Sequence, residues 1–129
     1  MKFKYTIVYV ADVEKTLSFY EKAFGLDRSF LHESKEYGQL DTGSTTLAFV
    51  AEKMMESNDI RFSKNSRDKL PPGFQLAFEC ENVEDAYQNA GKHGAILVQQ
   101  PTQKPWGQIV AYVRDINGVL VEICSPIEK

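Results

Sequence analysis

YTIVYVADVEKTLSFY, Tyr5 to Tyr20, and QLAFECENVEDAYQNA, Gln75 to Ala90, follow one plan. Each opens with a strand-like run, passes a helix-capping residue and continues at helical spacing. Asp12 lies over Asn82, Val13 over Val83 and Glu14 over Glu84, at an offset of roughly 70 residues. Few positions are identical, so periodicity and cap position carry the match. The pattern reads as an internal duplication, and the repeated unit decides the fold.

Working outward from the first copy, Val13, Leu17, Tyr20 and Phe24 keep one helical face, and Gly25 stops the helix. Strand-like stretches follow at Arg28–Ser34, Tyr37–Thr42 and Thr45–Ala51. The second copy predicts a strand from Phe74 to Glu79 or Cys80, then a helix from the Asn82 cap to about Lys92, closed by His93-Gly94. Strands are expected at Ile96–Gln99, Gln108–Arg114 and Leu120–Cys124, the last two joined by the turn Asp115-Ile116-Asn117-Gly118. Each half is therefore β-α-β-β-β. Between them, EKMMESNDIRFSKNSRDKLPP at 52–72 is polar and ends in Pro-Pro. It reads as a connector, irregular or partly helical, and as the most mobile segment. Met54-Met55 reads as a packing turn within it or as part of a lid. The expectation is a single domain, 1–129, of two modules at about 1–51 and 73–129.

With 129 residues, 43% of them hydrophobic, the chain suffices for one cored domain. A net charge of -3 argues against a nucleic-acid or anionic-membrane surface. No apolar run approaches the ~20 residues of a membrane span. The start, MKFKYTIVYVADVEK, lacks a signal peptide's apolar stretch, so the expected location is cytoplasmic. Cys80 and Cys124 lie in apolar runs and read as buried, reduced thiols.

Alternation separates two faces of each first strand. Thr6, Val8 and Val10 match Leu76, Phe78 and Cys80 on a face suited to pack under a helix. Tyr5, Ile7 and Tyr9 match Gln75, Ala77 and Glu79 on a mixed face. Such a face is either solvent-exposed or the wall of a cavity. In the last strand Glu122 shares its face with Leu120 and Cys124. If the sheet curls, Tyr5, Gln75, Glu79 and Glu122 look into one concave space.

These units and three segments, VADVEKTLSFYEKAFGL, ENVEDAYQNAGKHGA and KPWGQIVAYVRDINGVLVEI, resemble the glyoxalase/bleomycin resistance/dioxygenase group, the vicinal oxygen chelate superfamily. The first segment is similar to the family's V-x-D-x-x-x-S-x-x-FY-x-x-x-LG pattern, with Thr16 for Ser and Phe24 for Leu. The last is similar to its D-P-x-G-x-x-x-E-[LI] ending, with Ile116 in place of Pro. The resemblance implies an α+β fold: two βαβββ modules forming a curved, open, barrel-like mixed sheet with helices outside.

The resemblance also implies a ligand set for a metal, and this sequence departs from it. The family's metal-binding positions fall on Tyr5, on Ala48 (or Leu47 in a register slipped by one), on Gln75 and on Glu122. Only the last is a usual donor. His32 sits in the second strand and His93 at the end of the second helix, so neither repairs the set. The expectation is no metal and no cofactor. The branch without metal includes proteins that bind and sequester an antibiotic, commonly as dimers. By that resemblance the ligand-binding residues are Tyr5, Tyr9, Phe49, Gln75, Glu79, Trp106, Tyr112 and Glu122, with Tyr37 as further aromatic wall. Trp106, the one tryptophan, either stacks on a planar or cationic ligand or covers the edge of the core or dimer interface. Glu122 either pairs with a ligand amine or hydrogen-bonds to neighbours, and inside a cavity it needs a partner such as Arg114, Tyr5 or Gln75. Catalysis through Glu122 is the weaker expectation.

Three readings follow: a metal-independent homodimeric small-molecule binder taking an aromatic or cationic compound, a glyoxalase-fold lyase, isomerase or dioxygenase with an atypical or absent metal site, and an unliganded structural or regulatory dimer. No nucleic-acid or membrane partner is expected.

Overall fold

The computed structural model of the chain describes residues 1–127. They divide into two compact units, one from Met1 to Lys64 and one from Asn65 onward. The first holds β1 (Tyr5–Val10), α1 (Val13–Phe24), β2 (Arg28–Leu31), β3 (Tyr37–Leu40), β4 (Thr46–Ala51) and α2 (Glu52–Ser57). The second holds β5 (Leu76–Glu79), α3 (Val83–Lys92), β6 (Ile96–Gln103), β7 (Ile109–Arg114) and β8 (Leu120–Cys124). The class is α+β, and each unit carries its own four-stranded mixed sheet, ordered β1-β4-β3-β2 and β5-β8-β7-β6. In both, the first strand pairs in parallel with the last, and the remaining pairings are antiparallel.

Local chemistry explains the repeated outline. The Asp12 carboxylate accepts from the Lys15 amide at 2.9 Å, and the Asn82 side chain accepts from the Asp85 amide at 3.0 Å. Each thereby satisfies a free N–H of a helix start. Gly25 adopts φ 68°, and its amide reaches back to the carbonyl of Glu21, which ends α1. β6 runs on to Gln103, longer than the sequence predicts, with shifts in its pairing to β7 near Gln99.

In the first unit one sheet face packs under α1. Phe49 stacks on Tyr20 with ring centroids 5.2 Å apart, and both are fully buried with Leu17. Burying such side chains contributes about 1.5–3 kcal/mol each. Gly38 lies here because a Cβ would stand 2.6 Å from Leu17 Cδ1. In the second unit the matching face carries Ala111, Val113, Val121 and Ile123, all buried, as are Val83, Tyr87 and Ala90 of α3. The apolar stripe of α3 has that face as its cover.

The segment 52–72 is not uniform. Its first part is α2, half of whose residues are exposed. Its later part belongs to the second unit. There Arg114 donates to the carbonyls of Ser66 and Lys69, and Arg67 Nη1 donates to the Gly94 carbonyl at 2.8 Å. No helix among the described residues is long and apolar enough to cross a membrane.

Candidate functional site

The far face of each sheet is set by register. In the first unit Thr6 pairs with Leu47, and in the second Leu76 pairs with Val121. Counting along both ladders makes Glu122 the counterpart of Ala48, Glu79 of Tyr9 and Cys124 of Val50. Gln39 is opposite Ala48 and Tyr112 is opposite Glu122, so Tyr112 replaces Gln39. The position that the resemblance places at Ala48 or Leu47 is thus Ala48.

A polar cluster occupies the second unit. Gln75 Nε2 donates to Glu122 Oε1 at 3.1 Å, and the Tyr112 hydroxyl donates to the same oxygen at 3.0 Å. Oε2 takes neither bond. Ala77 lies beside Glu122 and Glu79 beside Cys124 across the β5–β8 ladder, which puts Glu79 on the same face one pleat along. Burial pushes the Tyr112 phenol up, and its bond to Glu122 adds to this. Burial likewise raises the Cys124 thiol to about 11, with the Glu122 charge as the next cause. Both groups therefore stay protonated at neutral pH, and the face carries two carboxylates.

Of the residues expected at the site, Gln75, Tyr112 and Glu122 are brought together, with Glu79 alongside. Trp106 stands on the turn between β6 and β7, 58% exposed, its indole N–H donating to Gln108 Oε1 at 2.8 Å. Tyr5 and Tyr9 lie on the far face of the first unit. Tyr5 is 46% exposed with the Lys4 ammonium over its ring, and Tyr9 meets the Phe62 ring edge-on at 4.9 Å. Tyr37 accepts from Gln39 Nε2 at 2.8 Å on the same face. Phe49 is a correction: it points to the α1 side and is fully buried against Tyr20, so it cannot line a site. Strand alternation places it there, one residue from Ala48.

Arg114, expected as one partner of Glu122, is spent elsewhere, while Gln75 fills that role. The bond from Tyr112 to Glu122 was not foreseen, although a signal existed. The turn after Asp115 pairs Arg114 with Leu120, and two steps back along β7 set Tyr112 opposite Glu122. His32 lies 2.8 Å from Ser34 Oγ and His93 2.9 Å from the Asn89 carbonyl, so both serve local turns.

A divalent metal of the kind that family's enzymes use does not fit this cluster. It offers one carboxylate, one of whose oxygens already accepts two hydrogen bonds, an amide and a protonated phenol, where such a metal normally takes three or four N, O or S donors. Among the described residues no group of three or more His, Cys, Asp or Glu is placed to hold a metal ion.

Comparison with known proteins gives a consistent placement. The sequence model of the Glyoxalase/Bleomycin resistance protein/Dioxygenase superfamily matches residues 2–123. A probable lactoylglutathione lyase of Synechocystis sp. is 30% identical over 131 residues, covering 97% of this chain and 95% of the relative. The uncharacterised protein YraH of Bacillus subtilis is 29% identical over 115 residues, covering 88% of this chain and 90% of the relative. Among solved structures, a glyoxalase-related enzyme from Fulvimarina pelagi superposes with a TM-score of 0.82 at 19% identity, covering 98% of this chain and 88% of that one. At that identity the likeness concerns the fold.

Proposed function

The chain belongs to the glyoxalase/bleomycin resistance protein/dioxygenase superfamily, and within it we propose a metal-independent small-molecule binding protein whose ligand presents a cationic or N–H-bearing group to Glu122. The observation that carries this reading is the Glu122 carboxylate. Two neutral donors, Gln75 and Tyr112, fix one oxygen, the other takes neither bond, and among the described residues no Lys or Arg forms an ion pair with it. Glu79 adds negative charge on the same face. A protonated amine gains a charge-assisted hydrogen bond there, whereas an anion meets repulsion. Trp106, in the same unit, supplies exposed aromatic surface for a planar ligand. Sequestration of an antibiotic of the bleomycin type is one use of such a site, a metabolite ligand is another, and the working assembly is a cytoplasmic homodimer.

Titration of metal-stripped protein with amine-bearing and planar compounds, bleomycin included, tests the reading by calorimetry and Trp106 fluorescence. Saturable binding that survives chelator is expected. Replacement Glu122→Gln weakens an amine ligand by about tenfold or more, since a hydrogen bond to a charged group contributes roughly 1.5–3 kcal/mol. Binding that requires added nickel, zinc or manganese overturns it. The Synechocystis relative's name favours a second reading, a glyoxalase-fold lyase. Turnover in a lactoylglutathione lyase assay, lost on Glu122→Gln, would establish that one instead.

A further inference from the structure

Arg114 shares its β7 face with Tyr112 and pairs with Leu120 on β8. Glu122 is then its diagonal neighbour, within the span of a long side chain. The guanidinium does not take that carboxylate. Its Nε donates to the Gly118 carbonyl at 2.8 Å, Nη1 to Arg67 at 3.3 Å, and Nη2 to Ser66 at 2.9 Å and to Lys69. Three of these four carbonyls belong to one short strap, Ser66–Lys69. The strap lies hard against the β7–β8 turn: a Cβ on Gly118 would stand 2.3 Å from the Ser66 oxygen.

We propose that the strap is a decoy for Arg114. Its carbonyls hold the guanidinium off Glu122 and keep the carboxylate open to a cationic ligand. When the strap lifts, Arg114 pairs with Glu122 and closes the site. Four bonds from a charged donor outweigh one ion pair between half-buried side chains, so the strapped arrangement is the resting state. Arg114 is thus a built-in competitor whose availability sets ligand affinity. This rests on the cationic-ligand reading for its functional meaning, and on the geometry alone for the exchange of partners.

The test uses benzamidine, a planar cation, and two changes that act oppositely on Arg114. Gly118→Ala puts a Cβ against both the Ser66 carbonyl and Arg114 Nη2, and so drives strap and guanidinium apart with Arg114 still present. Arg114→Gln removes the competitor. Benzamidine binding is expected to fall about tenfold or more in Gly118→Ala, to stay within about threefold of wild type in Arg114→Gln, and to return to that range in the double variant. Should Gly118→Ala fail to fold, deletion of the exposed Asp68 shortens the strap without crowding the turn. Side-chain NMR supplies a readout free of ligand. Guanidinium proton contacts are expected to Ser66 and Lys69 in wild type and to the Glu122 methylene in the lifted variant. Weakening by Arg114→Gln alone, no recovery in the double variant, or contacts that never reach Glu122 would overturn the decoy. If wild type does not bind benzamidine while the contacts still exchange as expected, the cationic-ligand reading falls and the change of partners stands.

Discussion

The two far faces are built on the same ladder and carry opposite chemistry. In the first unit the counterparts are Tyr5, Ile7, Tyr9, Gln39, Ala48 and Val50. In the second they are Gln75, Ala77, Glu79, Tyr112, Glu122 and Cys124. One face is aromatic and aliphatic with Ala48 and Val50 buried, while the other holds two carboxylates and the two hydrogen-bond donors of Glu122. Backbone register decides where a side chain points. Residue type then decides what that position can do, so a duplicated scaffold permits divided labour.

Exchanging counterparts is the strongest way to break this comparison. Ala48→Glu puts a carboxylate where no surface is exposed, and an uncompensated buried charge costs roughly 3–5 kcal/mol. Glu122→Ala, the reverse change, leaves half-buried Tyr112 and exposed Gln75 with water for partners, and is expected to cost about 1 kcal/mol or less. Urea denaturation of both variants measures the difference. Similar losses would show that the faces are energetically equivalent.

An intermediate effect sharpens it through pH. Cys124 titrates where its counterpart Val50 cannot, and its thiol is raised from 9.0 to about 11. As pH rises past about 9 the unfolded thiol ionises first, so the unfolded state holds fewer protons and stability falls until about pH 11. Cys124→Ala should remove this part of the alkaline decline in urea midpoints. The raised Tyr112 and Cys80 groups, shifted mainly by burial, leave a residual slope of the same sign. An unchanged alkaline limb would locate the loss elsewhere.

The smallest effect lies off both faces. Arg28 Nη2 donates to Glu21 Oε1 at 2.7 Å and to Ser18 Oγ at 3.2 Å, tying β2 to α1. Both side chains are about a third exposed, so Arg28→Ala is expected to cost only about 0.5–1 kcal/mol after solvent screening. The Arg28 hydrogen bond lowers the Glu21 carboxyl. Its contribution is present above the ordinary glutamate range and fades as pH falls through the lowered value. A urea midpoint for Arg28→Ala that differs from wild type at neutral pH and converges on it in acid checks both statements.

Much of the scaffold was legible in the residues themselves. Asp12, Asn82 and Gly25 mark helix ends through hydrogen bonds and a backbone angle confined to their own neighbourhood. Period-two alternation separated Val8 and Val10 from Tyr5 and Ile7, and the Asp115–Gly118 turn set β7 against β8. The family resemblance, and with it the departures at Tyr5, Ala48 and Gln75, was equally visible in motif spacing. Local physics suffices there because each signal involves residues a few positions apart.

What the sequence determined, then, was the repeated unit, its helix caps, its hairpin and the acid kept at Glu122. Only the tertiary structure decided what those side chains do. Phe49 looked like aromatic wall, but its parity on β4 turns it to Tyr20. Arg114 was one of three candidate partners of Glu122, with Tyr5 and Gln75, but the carbonyls of Ser66, Arg67 and Lys69 claim it from nearly fifty residues away. The physical reason is competition. A guanidinium or carboxylate takes whichever partners packing delivers with the best geometry, and composition does not reveal which distant backbone will be delivered.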